Sequence, residues 1–203
     1  MMKRSLPCTN SGSDISLAEL KTYTEGWLLS CEIDQHSPNT ITFRSNLLKK
    51  LVWFLERENC ASCGLNELRK FFHYIQNGYK NPEGRWGNPK ENQPVKPGTI
   101  ATYHRHLKAF FNWMIEEHAI EVSPLQRIPT PVDRPDEVQP FTDAQVQSLL
   151  NATKRTQNPL RDEAILWVLL DTGLRATELC SLKFGDLDMQ GRLLRVEGKG
   201  GKK

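Results

Sequence analysis

Apolar residues recur at helical spacing almost from end to end, and that periodicity restricts the chain to a mainly α fold. Ser16 followed by Glu19 has the form of a capping box, and Leu17, Leu20, Tyr23, Trp27 and Leu28 then share one helical face. Ser37 before Pro38 is a second start signal, because proline is tolerated at the first helical position. Behind it Leu47, Leu48, Leu51, Phe54 and Leu55 form an apolar stripe. Leu65 to Ile75 reads as a third helix, with Leu68, Phe71, Phe72 and Ile75 inward. Thr99 to His118 reads as a fourth. Its apolar face carries Ile100, Tyr103, Leu107, Phe110, Phe111, Met114 and Ile115, and Thr102, Arg105, Lys108 and Asn112 line the other side. Gly78 to Gly98 is polar and long for a connection inside a compact domain, so disorder or a functional loop is expected there.

These segments predict a helical unit over 14–127. Pro129, Pro131, Pro135 and Pro140 then mark an extended linker over 128–140. A second unit follows over 141–203. Thr142 and Gln145 form another capping box, opening a helix with Val146, Leu149 and Leu150 inward. Pro159 can open the next helix, and Ala164 to Leu170 is apolar enough to be buried all round. Gly173 interrupts, and Ala176 to Leu182 is a short helix. Leu187 and the run Leu193, Leu194, Val196 flank Asp188-Met189-Gln190-Gly191, which is the chemistry of a β-hairpin turn. Gly198-Lys199-Gly200-Gly201-Lys202-Lys203 reads as a second turn whose partner strand is missing, as if the chain were cut within a domain.

Composition excludes little but bounds the class. With 203 residues, 38% hydrophobic and 25% charged, the chain has the balance of a globular protein rather than a disordered one. The net charge of +3 permits nucleic-acid binding without arguing for it. No apolar run approaches the roughly 18 residues of a membrane span, and Met1 to Ser16 lacks a secretory apolar region, so a cytoplasmic protein with no membrane partner is expected. The five cysteines fit reduced thiols. Cys60-Ala61-Ser62-Cys63 has the spacing of a zinc knuckle, yet no second pair follows and His73 is a lone candidate ligand. No metal and no cofactor is therefore expected. Gly198-Lys199-Gly200 lacks the Gly-Lys-Ser/Thr ending of a nucleotide-binding loop.

Asp171-Thr172-Gly173-Leu174-Arg175-Ala176-Thr177-Glu178-Leu179 is the most informative segment. It places Arg175 and Glu178 on one helical face, just after a glycine break. A planar guanidinium held there suits a phosphate, which it can grip through two hydrogen bonds. The spacing alone also fits a plain surface ion pair. Thr172-Gly173-Leu174-Arg175 with Glu178-Leu179, Leu182 and Asp186 resembles the first catalytic motif of the tyrosine recombinases, the phage integrase family. Thr142-Asp143 resembles the opening of that family's catalytic domain, and Val196 to Lys202 resembles its hairpin turn. The N-terminal helices resemble its four-helix, SAM-like core-binding domain, with Thr99 to Trp113 as the last helix.

The resemblance implies a core-binding domain over 14–127 and the first part of an α+β catalytic domain over 141–203. Its activity would be site-specific DNA strand exchange without metal or nucleotide, by a tyrosine that attacks a backbone phosphate. By that likeness Arg175 clamps the phosphate and Lys199 is the general acid. Glu178 supports Arg175, and Asp186 is structural at the start of the hairpin. Duplex DNA is the implied partner, with copies self-associating on it. Thr102, Arg105, Lys108 and Asn112 would lie along the duplex, with Lys49 in the comparable stripe Thr42, Ser45, Asn46. A solvated helix face has the same pattern. Trp53, near that stripe, is expected to pack against a neighbouring helix. The family's second arginine, His or Trp donor and nucleophilic tyrosine have no counterpart here, since Tyr23, Tyr74, Tyr79 and Tyr103 all precede Arg175. The alternative from a different class is a catalytically inactive DNA-binding remnant or regulator from a mobile element. A third reading is a helical interaction domain with no nucleic-acid role.

Overall fold

The structure, a computed structural model, describes residues 14–132 and 137–196. It is mainly helical, and the chain divides into two compact units, one up to residue 136 and one from residue 137.

The first unit is built from α1 (Leu17–Ile33), α2 (Pro38–Arg57), α3 (Leu65–Asn77) and α4 (Pro97–Glu116). The helices start where the sequence offers caps. The Ser16 hydroxyl accepts from the Glu19 N–H while the Glu19 carboxylate reaches back to Ser16, and Ser37 accepts from Thr40. Pro38 and Pro97 occupy first turns, where a missing N–H costs nothing. The ends were not foreseen, because they lack glycine. Gln35, Asn59 and His118 adopt left-handed φ of 56°, 52° and 57°. Each closes a Schellman motif, as in His36 N–H to Cys31 O at 3.0 Å with Gln35 N–H to Glu32 O at 3.0 Å.

The predicted apolar stripes meet in one core. Leu20 and Trp27 of α1, Leu48, Leu51 and Leu55 of α2, Phe71 and Ile75 of α3, and Leu107, Phe110, Phe111 and Met114 of α4 are buried there. A two-stranded ribbon absent from the sequence reading ties the start of this unit to the α2–α3 connection. β1 (Ile15–Ser16) pairs antiparallel with β2 (Ser62–Cys63), Ile15 opposite Cys63. Cys63 is fully buried, and burial pushes its thiol well up, with the Glu67 carboxylate adding to the shift. Such a thiol stays protonated and unreactive.

The Gly78–Gly98 segment is not the open loop that its composition suggested. Among these residues Arg85 is buried, its guanidinium donating to the Gln93 carbonyl at 2.5 Å and facing Glu91 at 3.5 Å. Trp86 packs against Trp53, Phe71 and Tyr74, and its backbone N–H donates to the Tyr74 hydroxyl at 3.0 Å. Two anchors, one ionic and one aromatic, thus hold a stretch that has no periodicity. Trp53 packs between helices as expected.

The second unit holds α5 (Asp143–Thr153), α6 (Pro159–Thr172), α7 (Ala176–Ser181) and a hairpin of β3 (Leu187–Asp188) with β4 (Leu193–Leu194). Thr142 and Gln145 form the expected capping box. Leu150 is buried, whereas Leu149 is exposed. The expectation that Ala164 to Leu170 is buried all round is corrected. No residue of α6 is buried, and Trp167 and Leu170 are 50% and 44% exposed. The reason is geometric, since α6 packs chiefly on α5 and its other faces are left uncovered among the described residues. No described helix is long and apolar enough to cross a membrane.

Candidate functional site

Arg175 stands at the turn between α6 and α7. Gly173 ends α6 with φ 65° and ψ 23°, a left-handed cap that glycine adopts freely, and its N–H donates to the Leu169 carbonyl at 3.0 Å. The Thr172 hydroxyl donates to the Val168 carbonyl at 2.5 Å and accepts from the Leu174 N–H at 3.4 Å. The chain then enters α7 with Arg175 as its N-cap in extended backbone.

Glu178 grips Arg175 from two sides. One carboxylate oxygen accepts from the Arg175 backbone N–H at 2.8 Å, and the other accepts from Nη1 at 2.7 Å. Those bonds hold the Glu178 carboxyl below the usual carboxylate range, the backbone bond contributing most and the guanidinium bond next. The carboxylate is tucked in while the Arg175 side chain remains 76% exposed. The guanidinium is therefore oriented on one edge and open on the other, ready for a second anion.

Asp186 closes a 3-10 turn over Phe184–Asp186. Its carboxylate accepts from the Lys183 N–H at 2.8 Å, and its backbone carbonyl accepts from the Arg195 N–H at 2.9 Å. It thereby joins the turn to the base of the β3–β4 hairpin. Lys199 lies outside the described residues, as do the rest of its turn and Pro135 of the linker.

On the first unit, Lys49 of α2 and Arg105, Lys108 and Asn112 of α4 are exposed, and Thr102 is half-buried. Among the described residues no carboxylate lies within ion-pair distance of Lys49, Arg105 or Lys108. The Thr102 hydroxyl is spent on the Gly98 carbonyl at 2.8 Å. Lys108 and Asn112 line a groove of about 530 Å³ whose far wall includes Ser123, Gln126 and Thr130. His104 is buried at its floor, with Nε2 at 3.2 Å from the Ile128 carbonyl.

Helices α2 and α4 meet along a seam that the sequence did not reveal. Phe43 packs against Tyr103 and His106, with ring centroids 5.8 and 4.7 Å apart. The Lys50 ammonium donates to the Tyr103 hydroxyl at 3.1 Å and lies 5.3 Å over the Trp86 ring. Arg44 stacks on Trp27 and reaches His106 Nδ1 at 3.5 Å. The one signal available in the sequence was that Phe43 and Lys50 stand seven residues apart, on one helical face.

Known proteins resemble the chain at two scales. The family model described as the phage integrase family matches residues 139–203, a stretch that contains Arg175, Glu178 and Asp186. Tyrosine recombinase XerA of Saccharolobus solfataricus is 38% identical over 117 residues, covering 57% of this chain and 36% of that protein. Tyrosine recombinase XerC of Xanthomonas campestris pv. campestris is 25% identical over 197 residues, or 96% of this chain and 56% of the relative. The solved integrase from mycobacterium phage Brujita aligns with 89% of this chain and 55% of its own at 19% identity, with a TM-score of 0.42. The chain spans between 36% and 56% of the length of these two curated relatives. The Arg175 motif lies inside the stretch, residues 139–203, that matches the phage integrase family, and the chain is similar to Xer tyrosine recombinases over up to 96% of its length.

Proposed function

We propose that this chain carries the DNA-gripping part of a site-specific tyrosine recombinase. Residues 14–127 act as a four-helix, SAM-like core-binding domain, 128–140 as a linker, and 141–203 as the opening of the catalytic domain. The observation that carries the reading is the double hold of Glu178 on Arg175, which presents an open guanidinium edge without further reorganisation. Fixed donors of this kind stabilise an anion that develops during reaction.

In the complete reaction a tyrosine oxygen bonds to the scissile phosphorus while the bond to the 5′ oxygen breaks. Arg175 neutralises the charge on the pentavalent phosphate. Lys199 gives its proton to the departing 5′ oxygen, and Asp186 keeps the hairpin base attached to the turn that follows α7. Lys49, Thr102, Arg105, Lys108 and Asn112 contact the duplex, chiefly through phosphates, which sets affinity and register rather than sequence. Copies of the chain associate on the site.

This chain alone binds duplex without cutting it. Three of its tyrosines are engaged in the first unit. Tyr103 accepts from Lys50, Tyr74 accepts from Trp86 and Arg57, and Tyr23 packs edge-on against Trp113. The same observation favours the second reading, an inactive DNA-binding regulator.

Fluorescence anisotropy with a labelled duplex at rising salt tests the binding. The logarithm of the affinity should fall linearly with the logarithm of salt. Each of Lys49→Ala, Arg105→Ala and Lys108→Ala should lower that slope by about 0.9. Absent or salt-independent binding would leave a helical interaction domain as the better reading. A covalent protein–DNA adduct on a nicked duplex would overturn the claim that the chain does not cut.

A further inference from the structure

His104 is the one polar residue among the buried residues of α4. It is 3% exposed, its ring centroid lies 5.7 Å from that of Phe72, and it faces the groove that Lys108 and Asn112 line. An imidazole so placed has lost its water and needs a partner inside the protein. It finds one in the chain that follows α4, where the Ile128 carbonyl lies 3.2 Å from Nε2. A carbonyl only accepts, so Nε2 carries the hydrogen and donates it.

That bond ends a series of anchors. After the left-handed turn at His118 the chain runs back beside α4, from Glu116 to the level of His104, about three helical turns nearer its start. Ile120 and Leu125 are buried in the core on the way. The Leu125 N–H donates to the Ser123 hydroxyl at 3.3 Å, and the Ile128 N–H donates to the Leu125 carbonyl at 2.9 Å. Beyond Ile128 the character changes. Pro129 and Thr130 are exposed, and residues 129–132 make no hydrogen bond among the described residues. His104 therefore makes the last described hydrogen bond between the first unit and the chain leaving it.

We infer that His104 is a positioning residue, a clasp that fixes where the linker leaves the first unit and so where the span to Arg175 begins. Leu125 alone would leave residues 126–128 able to lift from α4. With the clasp closed, the span starts at Pro129 and in one direction. A tethered group acts at an effective concentration set by the length and starting point of its tether. Closing the clasp therefore raises the effective concentration of the Arg175 turn at a duplex already held by α2 and α4, with no new contact to that duplex. This consequence rests on the proposed function, whereas the clasp itself does not.

Limited digestion of the full chain with trypsin reads the clasp directly. Between α4 and α5 the basic residues are His118, Arg127 and Arg134, and trypsin ignores histidine and does not cut between Arg134 and Pro135. The bond from Arg127 to Ile128 is therefore the reporter, held by both hydrogen bonds of Ile128. His104→Phe keeps a ring against Phe72 but removes the donor, and should speed cleavage there by about tenfold. His104→Gln returns an N–H donor of similar reach and should restore the resistance. Circular dichroism checks that both variants fold, and NMR of the wild-type imidazole should show the hydrogen on Nε2 whatever they do. Duplex affinity then separates positioning from packing. Arg175→Ala should weaken binding severalfold in the wild type and by a smaller factor in His104→Phe, while Lys49→Ala should act equally in both. Wild-type cleavage as fast as in His104→Phe, no rescue by glutamine, a hydrogen on Nδ1, or an equal Arg175→Ala factor in both backgrounds would overturn the inference. Arg175→Ala without effect in the wild type, beside the expected cleavage pattern, would count only against the proposed function.

Discussion

The Lys50 ammonium lies 3.1 Å from the Tyr103 hydroxyl and 5.3 Å from the centre of the Trp86 ring, so one cation joins α2, α4 and the connection between α3 and α4. The connection is therefore a packed part of the first unit, and its removal should be felt as a core mutation is. Trp86→Ala deletes the ring that touches Trp53, Phe71 and Tyr74, and should cost about 3 kcal/mol in urea unfolding. Tyr103→Phe removes one hydrogen bond and keeps the packing, so about 1 kcal/mol is expected. A Trp86→Ala loss no larger than that of Tyr103→Phe would mean the segment is not anchored as described.

His106 should titrate below an ordinary histidine. Burial in the α2–α4 seam disfavours its charged form most, and the cations of Arg44 and Arg105 add to that. The folded state then binds the proton less readily than the unfolded chain, so stability is complete above the ordinary value of about 6.5 and declines as pH falls through it. Proton NMR of the imidazole should place its midpoint below that of free histidine, and Arg44→Ala should move it back upward. A midpoint at or above the free value would contradict the packing of Phe43 and Arg44 around the ring.

What the sequence disclosed follows from how local each cause is. Leu47, Leu48, Leu51, Phe54 and Leu55 announce a buried helical face by spacing alone, and all five are buried. The Arg175–Glu178 pair was equally legible, because an N-cap residue and the residue three further on meet across the first helical turn whatever lies around them. Trp86 and Arg85 were not, since an anchor without periodic neighbours shows its role only once Trp53 and Glu91 have been brought to it. Ala164 to Leu170 misled for the opposite reason. An apolar run states a preference for burial but does not supply the partner, and α5 covers only part of α6.

Glu178 should be a more acidic carboxyl than an ordinary glutamate, because both of its oxygens accept hydrogen bonds from Arg175. A lowered carboxyl pKa stabilises the fold above the unfolded value and loses that stabilisation as pH falls through the folded one. Acidification should therefore release the start of α7 only below the ordinary glutamate range. A carbon-detected titration gives the midpoint directly. Glu178→Gln should abolish the event, loosen the Arg175 side chain in relaxation measurements, and leave the first unit unchanged. A midpoint in the ordinary glutamate range would show that the two bonds do not persist in solution.

The Schellman ends of α1, α2 and α4 place Gln35, Asn59 and His118 in left-handed backbone, where a Cβ is crowded and glycine is not. Each of these positions stores a small strain that the capping hydrogen bonds offset. Gln35 is the cleanest place to relieve it, being exposed and outside both the Arg175 turn and the stripes on α2 and α4. Gln35→Gly removes the crowding but gives the unfolded chain more freedom, so the net gain is smaller than the relief itself. A stabilisation of about 0.5–1 kcal/mol is expected from denaturant unfolding, with the slope against denaturant unchanged. Gln35→Val should act in reverse by at least as much, because a β-branched side chain tolerates this backbone least. Equal stability of the glycine and valine variants would mean that α1 does not end in the left-handed cap.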